Sequence, residues 1–169
     1  MGEIDNGFRR SEPSMLLVSE RRQLTNEHVA TMFGHDYQKL VKDKAAEFGI
    51  SDLQFFDSPQ PHEGSQAVYL VEQFVGDDLV LVAVLEEKQE TSKHLHVGPM
   101  KKERYVHVKG RSTVFMNGQK HPLDEENGLI DVLIDVFHQV KTEESPSLTV
   151  IIMENARLVA PGRLHVKLP

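Results

Sequence analysis

The chain has 169 residues, 27% charged and 39% hydrophobic, a balance that suits one globular domain with an appendage rather than a disordered chain. Its formal net charge of −7 argues against a nucleic-acid backbone as the main partner, because phosphate binding needs a basic footprint. It has no cysteine, so disulfides and thiolate metal sites are excluded, and any metal must use His, carboxylate or water.

Residues 1–14, MGEIDNGFRRSEPS, read as a flexible polar tail without the apolar stretch of a signal peptide, and the expectation is a cytoplasmic protein. No apolar run approaches the ~20 residues that span a bilayer, and no Lys/Arg-rich amphipathic segment suggests a membrane surface. The short apolar run MLLVSE (15–20) suits an edge strand. Thr25 can cap a short helix over residues 26–33, which Gly34 then breaks. A clearer helix is expected over 36–48, where Tyr37, Leu40, Val41, Ala45 and Phe48 form one apolar stripe. Leu40, Val41 and Phe48 should be buried against the barrel or a partner subunit. Gly49 follows where a helix C-terminus favours a left-handed residue. Residues 50–66 hold two Pro, one Gly and three Ser and read as a connector.

From there the texture becomes that of strands. The runs AVYLVEQFV, DLVLVAVLEE, SKHLHV, RYVHVKG, STVFM, LIDVLIDVFHQV and SLTVIIME are short and rich in β-branched residues. Turn signals separate them, and Asn117-Gly118 is the sharpest, since Asn-Gly favours the two-residue hairpin turn. Many short strands at near-even spacing indicate a sandwich or barrel. The expected organisation is a tail (1–14), an N-terminal helical extension with its connector (15–65), and a β-barrel (66–169).

The stretch HLHVGPMKKERYVHVKG (94–110) carries the chemistry. Alternate residues of a strand share a face, so His94 and His96 present two imidazoles together, and Glu103 can join them from a neighbouring strand. His-x-His also arises by chance in a chain with nine histidines, and a histidine is often exposed or a satisfied core residue. The ordered Glu103 and Gly110, and a third histidine in LIDVFHQV, His138, favour a divalent metal site with open positions. From Glu103 the same alternation places Tyr105 and His107 on the cavity face as candidates for acid–base work. His28, His35, His62, His121 and His165 show no partner pattern and are expected to be structural or exposed.

These residues resemble the cupin superfamily, whose first motif runs roughly G-x5-H-x-H-x3–4-E-x6-G and whose second runs roughly G-x5-P-x-G-x2-H-x3-N. His94, His96, Glu103 and Gly110 match the first, with six residues (VGPMKK) between His96 and Glu103. His138 matches the second, but Gly128 is one residue out of place, Leu133 and Asp135 stand where Pro and Gly are expected, and Thr142 replaces Asn. The resemblance spans about residues 66–156. It implies a jelly-roll or double-stranded β-helix barrel in which His94, His96, Glu103 and His138 bind a divalent transition metal (Mn, Fe, Zn, Ni or Co). In outline the run from His94 to Asn155 is similar to the mannose-6-phosphate isomerase branch. That implies an isomerase acting on a small sugar or sugar-phosphate-like molecule, with His107 or Tyr105 moving the proton. A dioxygenase or a lyase on the same site, or a non-catalytic metabolite-binding module, are the alternatives. The resemblance also implies a homodimer paired through edge strands.

Overall fold

The computed structural model describes residues 23–62 and 64–159, and the backbone of 166–167. The tail over 1–14, the edge strand expected over 15–20 and the side chain of His165 lie outside the described residues.

Helix α1 runs Asn26–Phe33. Its first turn is closed reciprocally: the His28 amide donates to Thr25 Oγ1, and the Thr25 amide donates to His28 Nδ1, each at 3.1 Å. Gly34, at φ +100°, ends it. Helix α2 runs Tyr37–Ala46, slightly shorter than the periodicity suggests. Tyr37, Val41 and Ala45 are buried, while Leu40 and Phe48 are half-buried. Both helices lie on the chain's own β-sheet, and Phe33, Tyr37, Val41 and Ala45 share a core with Val80, Val82, Val106 and Val150.

Among the described residues eleven strands follow: β1 Gln60–Pro61, β2 Val68–Val75, β3 Asp78–Leu85, β4 His94–Leu95, β5 Lys102–Gly110, β6 Ser112–Met116, β7 Gln119–Leu123, β8 Leu129–Leu133, β9 His138–Lys141, β10 Ser147–Met153 and β11 Val166–Lys167. They form a six-stranded sheet, β1-β2-β3-β10-β5-β8, and a five-stranded sheet, β11-β4-β9-β6-β7. All pairings are antiparallel. The larger sheet is covered on both faces, which explains why β3 and β10 read as unbroken apolar runs. Val80, Val82 and Val84 of β3 pack under the helices, while Leu79, Leu81, Ala83 and Leu85 face the interior between the sheets. None of the described helices is long and apolar enough to cross a membrane.

Turns follow local chemistry. Asn117 (φ +53°) and Gly118 (φ +70°) close the β6–β7 hairpin as an Asn-Gly pair does. The run LIDVLIDVFHQV divides into β8 and β9, which lie in different sheets. Asp135 makes the corner at φ +66°, so the residue standing where the motif has Gly adopts the left-handed conformation that Asp tolerates. Thr142, at the motif's Asn position, ties down the loop after β3: its hydroxyl donates to the Glu86 carbonyl at 2.5 Å and accepts from the Gln89 amide at 3.0 Å.

Gly110 closes β5 at φ +77°, and a Cβ there would overlap the Pro146 carbonyl oxygen. Gly110→Ala is therefore expected to destabilise the fold by about 2 kcal/mol through a strained φ and a backbone collision. Chemical denaturation checks this, and an unchanged midpoint would contradict it.

Candidate metal centre

His94 and His138 come from the smaller sheet, His96 from the segment just after β4, and Glu103 from the larger sheet, so the centre bridges the two. His94 and His138 face each other directly across the β4–β9 pair. His96 follows β4, and its carbonyl accepts from the Asp135 amide at 2.8 Å, which fixes the backbone there. Glu103 lies on β5 between Met153 of β10 and Val132 of β8. The longer loop over 97–101 is anchored by buried Met100 and returns the chain from one sheet to the other.

The imidazole centroids are 4.4 Å apart for His94–His138, 4.9 Å for His94–His96 and 5.2 Å for His96–His138. One ligand atom from each of His94, His96, Glu103 and His138 lies within 4.8 Å of the others, and all four residues are buried. Ligands on opposite sides of an ion bound at about 2.0–2.2 Å are about 4.4 Å apart, so little contraction is needed.

The proton positions also fit a metal. His94 Nδ1 lies 2.9 Å from the Ser92 carbonyl, and His138 Nδ1 lies 2.9 Å from the Val136 carbonyl. A carbonyl only accepts, so each Nδ1 carries the proton, and Nε2 of the neutral ring presents a lone pair. Yet His138 Nε2 is 2.8 Å, and His96 Nε2 3.0 Å, from the same Glu103 Oε1. The His138 lone pair so close to a carboxylate oxygen needs a cation between them, either a shared proton or a metal ion. Burial first, and His138 second, push His94 down to about 4, so it remains an unprotonated donor at neutral pH. Burial alone would raise Glu103, but the His96 and His138 imidazoles outweigh it and hold the carboxyl well below its ordinary range. The donor set is thus nitrogen lone pairs plus an ionised carboxylate, with no sulfur, which suits Mn, Fe, Co, Ni or Zn.

Tyr105 stands beside this cluster. Its hydroxyl donates to Glu103 Oε1 at 3.0 Å, and burial, followed by the Glu103 charge, raises its pKa well above the usual phenol value. His107 lies one residue pair farther along β5, where the register with β10 shifts. Its Nε2 hydrogen-bonds the Gly110 carbonyl at 2.9 Å, and it is not among the described residues lining the cavity.

That cavity, of about 50 Å³, opens onto His94, Glu103 and Tyr105. Ala83, Leu85, Val140 and Ile151 give it an aliphatic side, and Tyr69, Ser92, Ser147 and Thr149 contribute hydroxyls. The connector supplies part of the wall through half-buried His62, whose ring packs on Tyr69 with centroids 4.7 Å apart. Sequence reasoning missed His62 and Tyr69 because neither belongs to a spacing pattern with the metal-type residues.

No protein-family model and no curated protein matches the chain. Solved structures do resemble it. A cupin-like protein from Thermotoga maritima shares 14% identity over 62% of this chain and 77% of its own, with a TM-score of 0.51. A double-stranded β-helix protein from Klebsiella pneumoniae shares 16% over 64% and 83%, at 0.50. The capsular polysaccharide assembling protein CapF of Staphylococcus aureus shares 11% over 70% of this chain, at 0.51, and the match spans only 35% of its length. Together with the two facing antiparallel sheets, these likenesses give the chain the cupin fold, a double-stranded β-helix barrel with short N-terminal helices laid on its larger sheet.

Proposed function

We propose that this protein is a metal-dependent enzyme that moves a proton on a small oxygen-containing molecule, an isomerase-type reaction. The observation that carries the reading is the Tyr105 hydroxyl, 3.0 Å from Glu103 and lining the same cavity as Glu103 and His94. His94, His96, Glu103 and His138 would hold a divalent ion (Mn, Fe, Zn, Ni or Co), which supplies Lewis-acid polarisation of a substrate carbonyl. Tyr105 does the acid–base work. Its raised pKa keeps the phenol protonated at neutral pH; it gives that proton to the substrate carbonyl oxygen, and the phenolate so formed takes the proton from the adjacent carbon, which leaves Tyr105 neutral again and the substrate as its enediol. Glu103 orients that phenol by accepting its hydrogen bond. The aliphatic side of the cavity excludes bulk water from the exchange. His107, occupied by the Gly110 carbonyl, has no place in this scheme.

Tyr105→Phe is expected to leave metal content unchanged and to slow turnover about 100-fold, the usual scale for one positioned acid–base group. The assay uses small hydroxy-carbonyl compounds with the metal-loaded protein. Unchanged turnover would remove Tyr105 from the chemistry. The aliphatic residues Ala83, Leu85, Val140 and Ile151 favour a second reading, a dioxygenase, and oxygen consumption in the same assay would select it. Absence of both activities would favour a metabolite-binding module. Homodimer formation stays part of the proposal, since β8 is a sheet edge with exposed Leu129 and Leu133; a solution mass measurement tests it.

A further inference from the structure

The cavity holds polar groups that the scheme above does not use. Ser147 and Thr149 of β10 are only 4% and 7% exposed, line the cavity, and make no side-chain hydrogen bond within the described residues. Tyr69 of β2 lines the same space, and its hydroxyl likewise has no hydrogen-bond partner among the described residues. Buried hydroxyls are normally satisfied, so Ser147 and Thr149 need water or ligand oxygens as partners, and half-buried Tyr69 offers its hydroxyl to the same space. A cavity of about 50 Å³ takes only a few waters or a small ligand.

The charge of the wall narrows the ligand further. Glu103 is the only Asp, Glu, Lys or Arg among the described residues lining the cavity, and His94, whose Nδ1 proton goes to the Ser92 carbonyl, turns an Nε2 lone pair to the site. A divalent ion beside one carboxylate leaves a single positive charge. That balances one developing oxyanion, whereas a phosphate dianion would be left under-neutralised in a site with no lysine or arginine.

We propose that Tyr69, Ser147 and Thr149 form the substrate-recognition wall of this cavity, and that the wall selects a small uncharged hydroxy-carbonyl compound over its phosphate ester. The inference rests on the proposed function and names its substrate class. Tyr69 of β2 is placed for this by its ring contact with His62 of the connector, with two strands between it and Tyr105 of β5 in the same sheet. Each hydroxyl both donates and accepts, so the wall can pair with substrate hydroxyls and carbonyls alike.

The test is ligand-detected NMR with calorimetry on the Mn(II)-loaded full chain, using dihydroxyacetone and dihydroxyacetone phosphate as probes. Dihydroxyacetone should bind, and its phosphate ester should bind more weakly. Tyr69→Phe and the isosteric Thr149→Val should each weaken dihydroxyacetone about fivefold, the scale of one lost neutral hydrogen bond, while Mn(II) affinity stays unchanged. The proposal is overturned if the phosphate ester binds as tightly or more tightly, if dihydroxyacetone does not bind, or if both variants bind it like the parent. Failure to bind Mn(II) at all sinks the metal reading separately. The same titrations on the metal-free chain then decide the wall: dependence on Tyr69 and Thr149 supports it, and its absence overturns it.

Discussion

Glu103→Gln is expected to weaken divalent-metal binding about 1000-fold, or about 4 kcal/mol, while the fold survives. Glutamine keeps the shape of the side chain and removes the one negative charge of the donor set. The remaining groups are neutral imidazole nitrogens in a buried site, and burying a divalent charge against them alone is costly. The metal-free variant has no such difficulty. Its amide can donate to the His138 Nε2 lone pair that now lies 2.8 Å from the carboxylate oxygen. Circular dichroism should therefore match the parent while metal titration does not. A variant that binds metal with parental affinity would remove Glu103 from the ligand set.

The second large effect is on stability. At a free metal concentration of about 1000 times Kd, the protein should gain about 4 kcal/mol and melt on the order of 10 °C higher, and a chelator should reverse the gain. Acid should erode stability in the metal-free protein as well. His94 titrates near 6.5 when unfolded and at about 4 when folded, so the unfolded chain takes up its proton first. Stability is full above pH 6.5 and falls as pH drops towards 4, by up to about 3 kcal/mol from this group. Glu103 adds to the loss below its ordinary value of 4.5, because its folded carboxyl resists protonation while the unfolded one accepts it. Thermal melts across pH 4–8, with and without metal, read both effects. A melting temperature that ignores metal, or that rises on acidification from pH 6.5 to 4, would contradict the account.

What the sequence disclosed was local. Thr25, Gly34 and the Tyr37–Val41–Ala45 stripe announced the two helices because caps and periodicity act within a few residues. Asn117-Gly118 announced its hairpin for the same reason. The i,i+2 spacing placed His94 and His96 on one face, ordered spacing suggested Glu103 and His138 as partners, and the resemblance to cupin motifs joined the four into one ligand set. What stayed hidden was set by tertiary contact. The division of LIDVLIDVFHQV between two sheets depends on one left-handed Asp135, which patterning does not reveal. His107 keeps the alternation from Glu103, paired with Thr149 just before the register shifts, and only the fold shows that its Nε2 hydrogen-bonds the Gly110 carbonyl. His62 and Tyr69 reach the cavity from a connector and a strand far from the motif in sequence, so only folding brings them to Glu103.

The central claim is that His94, His96, Glu103 and His138 together hold one divalent ion. X-ray absorption on chelator-stripped protein reloaded with one equivalent of Co(II) or Mn(II) reads the ligands directly. The account predicts a shell of nitrogen and oxygen neighbours at about 2.0–2.2 Å, with the outer scattering of three imidazoles that drops when His138 is replaced by Ala. No stoichiometric uptake, or a shell without imidazole scattering, would contradict it.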